Sequence, residues 1–217
     1  MFYRDSNHIY RSRALAAFDW LDHGFGTRHA DPHPSPVTLK QIHSNLVLKP
    51  GEASEGDALV SNLEGEAIAV KTADCVPLLL ADPRTRTVAA VHAGWRGTVS
   101  RIAACAVERL AISYGVDPGD LVVAIGPAIG GCCYEVGPEV AEAFRPFFPE
   151  RDDLRGKVRI DLAEVNRRQL IGAGVNPDRI HLSGLCTCCQ SADFHSYRRD
   201  KTKAGRMLSS IEILRRV

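Results

Sequence analysis

The stretch Lys71-Thr72-Ala73-Asp74-Cys75-Val76-Pro77-Leu78-Leu79-Leu80-Ala81-Asp82-Pro83-Arg84-Thr85-Arg86-Thr87-Val88-Ala89-Ala90-Val91-His92-Ala93-Gly94-Trp95-Arg96-Gly97 decides the fold. Val76 to Ala81 and Thr87 to Val91 are nearly continuous apolar runs of strand length, separated by the Asp82-Pro83-Arg84-Thr85 turn. Ala67 to Val70, just upstream, is a third such run. Runs without polar alternation predict strands buried on both faces. The same stretch brings Cys75 and His92 to the ends of neighbouring strands.

Working outward, Ile9 to Arg28 reads as a strand running into the glycine turn Gly24-Phe25-Gly26. Three prolines between Asp31 and Pro36 exclude helix there. Val37 to Leu48 reads as extended and carries His43. Downstream, Thr98 is the expected N-cap of a helix with Ile102, Cys105, Ala106 and Leu110 on one stripe, ending at Gly115. Leu121 to Ile125 predicts another buried strand, Gly137-Pro138 opens a helix, and Asp161 with Glu164 forms a capping box for a third. Ile180 to Ser183 and Met207 to Leu214 are the last strand candidates. About nine strands and three to four helices, in an order that is not regularly β-α-β, predict an α+β fold with mixed β-sheets flanked by helices. The absence of repeats and linkers predicts a single domain over residues 1–217.

The 217 residues are 45 % hydrophobic and 24 % charged, ordinary for a soluble globular chain. Twenty-seven basic against 26 acidic side chains leave a net charge of +1, so no field of one sign recruits nucleic acid or a membrane surface. No window resembles a signal peptide or a membrane span, and a cytoplasmic location is expected. Seven cysteines, with adjacent pairs at Cys132-Cys133 and Cys188-Cys189, suit reduced thiols better than a disulfide framework.

Three residues stand out chemically. One Cys with two His is an accepted catalytic zinc set that keeps an open position, and His43, Cys75 and His92 fit it. A metal-free alternative uses Cys75 as nucleophile, His92 as base, and Asp74 or Asp57 to orient the imidazole. The plain alternative is a buried thiol and a hydrogen-bonded histidine. A rival metal site combines Cys186, Cys188 and Cys189 with Cys132-Cys133 or His195, as a closed structural zinc site or as buried thiols. Arg28 and Arg198 or Arg199 are candidate anion binders, weighed against structural ion pairs.

Taken together, the motifs resemble the YfiH-like family, also described as laccase-domain or polyphenol oxidase-type proteins. They are His23-Gly24-Phe25-Gly26-Thr27-Arg28, Gln41-Ile42-His43, Gly56-Asp57-Ala58, Thr72-Ala73-Asp74-Cys75 and His92-Ala93-Gly94-Trp95-Arg96-Gly97. Gly126-Pro127, Tyr134-Glu135-Val136, Asp161-Leu162, Cys186-Thr187, Ser196-Tyr197-Arg198-Arg199-Asp200 and Gly205-Arg206 continue the match along nearly the whole chain. The resemblance implies zinc on His43, Cys75 and His92, and a mixed-sheet fold shared with bacterial toxin deamidases. It also implies phosphorolysis of adenosine, inosine and methylthioadenosine, and adenosine deamination. Amidase editing of peptidoglycan precursors, copper polyphenol oxidation and a non-enzymatic zinc protein are the alternatives.

Eight His scattered along the chain are few for several copper ions, which makes copper the least favoured cofactor. Deamination fits zinc chemistry, but the His-x-Glu with Pro-Cys-x-x-Cys signature is missing, so Asp74 becomes the candidate proton carrier. Phosphorolysis needs an anion site, assigned to Arg28 and Arg198, beside the catalytic set Cys75, His92 and Asp74. The expected partners are small molecules, a purine nucleoside and phosphate. Only twelve residues separate Arg28 from Gln41, fewer than the family usually has, which predicts a more open pocket.

Overall fold

The computed structural model describes residues 1–215; Arg216 and Val217, the end of the expected 1–217 domain, lie outside the described residues. Among the described residues the chain opens with β1 (Phe2–Arg4), β2 (Tyr10–Ser12), β3 (Leu21–Phe25), β4 (Val47–Leu48), β5 (Ala58–Ser61), β6 (Ile68–Thr72), β7 (Val76–Asp82) and β8 (Thr87–Ala93). Helices α1 (Trp95–Val99) and α2 (Ile102–Tyr114) follow, then β9 (Val122–Ile125), β10 (Glu135–Val136), α3 (Pro138–Ala143) and β11 (Val158–Arg159). The chain continues through α4 (Leu162–Gly172), β12 (Ile180–Leu182), α5 (Tyr197–Asp200) and β13 (Met207–Ile213).

An antiparallel sheet runs in the order β1-β2-β3-β13-β6, and a mixed sheet in the order β12-β9-β7-β8-β5-β4. The mixed sheet is parallel only at its two edges, β12 with β9 and β4 with β5. Strand alternation explains the unbroken apolar run in β7. Leu78 and Leu80 pack toward α2 and α4 beside Val107, Leu110, Val165 and Leu170. Leu79 and Ala81 pack the other way, with Phe25, Ile68, Val70 and Ile211 of the antiparallel sheet. The mixed sheet is thus the middle layer, with sheet on one face and helices on the other. Each fully buried Leu contributes roughly 1.5–3 kcal/mol of transfer free energy to that core.

The α+β class with mixed sheets and flanking helices is as the sequence predicts, and several boundaries differ. The extra strands are mostly two- or three-residue pieces that carry too few residues for a periodic signal. Val37 to Leu48 is strand only at Val47–Leu48; Val37 and Lys40 make isolated bridges to Ile68 and Glu55. Helix does not begin at Thr98. It begins at Trp95, breaks where Arg101 takes φ 63°, and resumes at Ile102. Thr98 is buried and its hydroxyl accepts from Asn166 Nδ2 at 3.1 Å, so it ties α1 to α4 rather than capping a helix. No described helix is long and apolar enough to cross a membrane.

Candidate metal centre and cavity

The segment from β6 to β7 crosses from the antiparallel sheet to the mixed sheet, and Asp74-Cys75 sits in that crossing. Asp74 turns the chain with φ 91°. In β7 and β8, Pro77 pairs with His92, which places His92 beside the start of β7. His43 arrives from the loop ahead of β4 with φ 60°. One ligand atom each of His43, Cys75 and His92 lies within 4.8 Å of the other two. The two imidazole rings meet edge-on with centroids 4.9 Å apart.

Asp57 organises this cluster. Its fully buried carboxylate accepts from His92 Nδ1 at 2.8 Å, and from the backbone amides of His43 at 3.0 Å and Ser44 at 2.6 Å. The Ser44 hydroxyl at 2.7 Å and the Ile42 amide at 3.3 Å complete five hydrogen bonds to it. Burial by itself would raise the Asp57 carboxyl, but the hydrogen bonds from His92 and Ser44 outweigh it and hold it at about 2. Burial lowers His92, and Asp57 together with the Cys75 sulfur more than reverses this, to about 9. With Nδ1–H committed to Asp57, Nε2 is the ring atom left to bind a metal, the arrangement that orients metal-binding histidines.

The backbone at Gly94 packs against the cluster. A Cβ there would sit 2.6 Å from His43 Nδ1 and 3.1 Å from Cys75 Sγ, so the fit depends on glycine. Two imidazole nitrogens, one cysteine sulfur and a backbone cradle suit a zinc ion, which His43, Cys75 and His92 would hold. The donors lie in the wall of a cavity of about 750 Å³ that is also lined by Lys71, Trp95, Tyr134, Arg198 and Arg206. Gln41 holds one rim by pairing its side-chain amide with both backbone groups of Lys71, at 2.8 Å each. Burial and the nearby Cys75 sulfur push the Tyr134 hydroxyl up to about 12, so it stays protonated. The sequence marks Tyr134 only as part of the Tyr134-Glu135-Val136 motif; its place in the cavity wall beside Cys75 comes from the fold.

The remaining predicted site residues divide. Arg198 lines the cavity, with its guanidinium 5.2 Å from the Tyr134 ring and Nη1 donating to the Glu135 carbonyl at 2.8 Å. Arg28 does not reach it: its Nη1 donates to the Ser191 carbonyl at 2.7 Å, and it lines a separate surface depression with His195 and Arg199. Asp74 borders the cavity, but its carboxylate already accepts from Thr187 Oγ1 at 2.6 Å, Ser196 Oγ at 3.1 Å and the Arg198 amide at 2.6 Å. Those three hydrogen bonds tie Asp74 to the Thr187 loop and to the start of α5.

Residues 26–214 match the family model described as multi-copper polyphenol oxidoreductase laccase. A purine nucleoside phosphorylase of Deinococcus radiodurans is 43 % identical over 185 residues, 82 % of this chain and 70 % of that protein. Adenosine deaminase RL5, from an unknown prokaryotic organism, is 43 % identical over 166 residues, covering 73 % of this chain and 63 % of that protein. The crystal structure of YlmD from Geobacillus stearothermophilus superposes with a TM-score of 0.88 at 30 % identity, covering 99 % of each chain. On this match of sequence and fold, the chain belongs to the YfiH-like family of multi-copper polyphenol oxidoreductase laccase-type proteins.

Proposed function

We propose that the chain is a single-domain zinc enzyme acting on purine nucleosides, by phosphorolysis of adenosine, inosine and methylthioadenosine and by deamination of adenosine. The observation that carries the reading is the convergence of His43, Cys75 and His92 donor atoms, within 4.8 Å of one another, on a cavity of nucleoside size. The names of the relatives, purine nucleoside phosphorylase and adenosine deaminase, support the substrate class. Zinc held by His43, Cys75 and His92 would supply Lewis acidity and activate water near neutral pH.

The chain's own residues do the rest. Asp57 keeps the proton on His92 Nδ1 and fixes the ring. Trp95 and Tyr134 offer aromatic faces to a purine ring, and protonated Tyr134 is a hydrogen-bond donor at neutral pH. Lys71, Arg198 and Arg206 supply the cationic wall that a phosphate needs, taking over the role expected of Arg28. Asp74 acts as a positioning residue, holding the Arg198 backbone in place. Among the described groups of three or more potential ligands only this one contains His, which favours one zinc over a multicopper assembly.

Incubation with adenosine and inosine, with and without phosphate, separates the reactions by product. Phosphate-dependent release of free base marks phosphorolysis, and inosine with ammonia from adenosine marks deamination. Inactivity toward both, with an amino acid released from a muramyl precursor, would overturn the reading.

A further inference from the structure

A second cluster lies outside the nucleoside cavity. Cys132 and Cys133 belong to a turn in which the Gly130 carbonyl accepts the amides of Cys133 at 2.9 Å and Tyr134 at 3.0 Å. Cys186 to Cys189 form another turn, closed by the Gln190 amide on the Cys186 carbonyl at 3.0 Å. The turns are joined by a parallel bridge from Ala128 to Cys186 and by the Thr187 amide on the Ala128 carbonyl at 3.0 Å. This juxtaposition brings four thiols together from sequence positions more than fifty residues apart.

The spacing of the sulfurs suits an ion held between them. Cys132 and Cys133 sulfurs are 3.7 Å apart, Cys132 and Cys189 3.6 Å, and Cys133 and Cys189 3.3 Å. All four, Cys186 included, fall within 4.8 Å of one another. Zinc with sulfur at about 2.3 Å places tetrahedral sulfurs about 3.8 Å apart, whereas a disulfide needs about 2.05 Å. Cys186 and Cys189 have the two-residue spacing of a zinc knuckle, while Cys132 and Cys133 form the other half. The Gly130 amide points at Cys186 Sγ from 3.3 Å, the hydrogen bond that a metal-bound thiolate accepts. Gly130 also leaves room, since a Cβ there would lie 3.2 Å from Cys132 Sγ.

We infer that Cys132, Cys133, Cys186 and Cys189 bind a second zinc ion in a closed, four-thiolate structural site. Binding releases the thiol protons to solvent and leaves no open coordination position, so the ion has no part in turnover. Its effect is mechanical. It clamps the loop that carries Tyr134 to the loop leading into α5, where Arg199 Nη1 already donates to the carbonyls of Thr187 and Cys188 at 2.9 and 3.0 Å. Both loops end in walls of the nucleoside cavity, through Tyr134 and Arg198. The inference does not depend on what the first centre does.

The test is zinc content after purification under reducing conditions without chelator. The variant His43→Ala/Cys75→Ala, which lacks the first centre, should retain about one zinc per chain. Adding Cys186→Ser and Cys189→Ser should remove it, and Cys105→Ala, a thiol remote from the cluster, should not. Should the four-site variant fail to fold, mercurial titration of His43→Ala/Cys75→Ala gives the second reading: zinc should leave in step with modification of four thiols. A folded His43→Ala/Cys75→Ala chain free of zinc, or a Cys133–Cys189 disulfide in its place, would overturn the inference. Loss of adenosine turnover in that variant with one zinc retained separates the two centres.

Discussion

Asp57 holds two of the three candidate ligands at once: its Oδ1 accepts from the His92 ring at 2.8 Å and from the His43 backbone amide at 3.0 Å. A single buried carboxylate therefore sets the ring orientation of one histidine and the backbone conformation of the other. Asp57→Asn should weaken zinc binding by about 10- to 100-fold, as loss of such supporting hydrogen bonds generally does. Competition with a chromogenic chelator measures this, and unchanged affinity would show that Asp57 serves the fold alone.

Gly94→Ala separates fold from site. The backbone at Gly94 has φ −71°, which alanine adopts without strain, so α1 should form and stability should change by less than about 1 kcal/mol. The added methyl would instead displace His43 and Cys75. Zinc affinity is expected to fall at least about tenfold while the unfolding midpoint stays put. Equal loss of both would contradict the cradle.

Asp74→Ala distinguishes an anchor from a proton carrier. Removing the carboxylate leaves the Thr187 and Ser196 hydroxyls and the Arg198 amide without their acceptor, at a cost of roughly 3 kcal/mol. Urea unfolding should show that loss. A variant of wild-type stability whose kcat alone collapses, with a shifted pH profile, would restore the proton-carrier role.

His23 predicts an acid-sensitive step. It is buried in β3, accepts the Ser12 amide on Nε2 at 2.9 Å, and burial with the Arg11 charge lowers it to about 4. Above pH 6.5 both folded and unfolded chains hold it neutral, so it has no effect there. As pH falls, the unfolded chain takes up the proton first, and stability is lost between about pH 6.5 and 4, by roughly 3 kcal/mol in total. His23→Gln keeps an acceptor and cannot titrate. Its unfolding free energy should be flatter over that window, and an identical slope would contradict the assignment.

What could be read from the sequence follows from where the information is local. β7 and β8 are legible because both faces are buried, so every position from Val76 to Ala81 is apolar. The Cys75 and His92 placement followed from those strand ends. His43 lies in no strand: its φ of 60° is imposed by Asp57, fourteen residues later, which no periodicity records. The hydrogen bonds of Asp74 are hidden for the same reason, because its three donors are more than a hundred residues downstream. Thr98 reads as a cap in the sequence because its partner, Asn166, is on another helix.

The most direct measurement is adenosine turnover by zinc-loaded wild type beside Cys75→Ala at matched folded concentration. Cys75 supplies the one thiolate of the proposed centre, so the account predicts that the variant loses the first zinc and at least about 100-fold in rate while its fold persists. Full activity in a Cys75→Ala chain that no longer holds this zinc would contradict it.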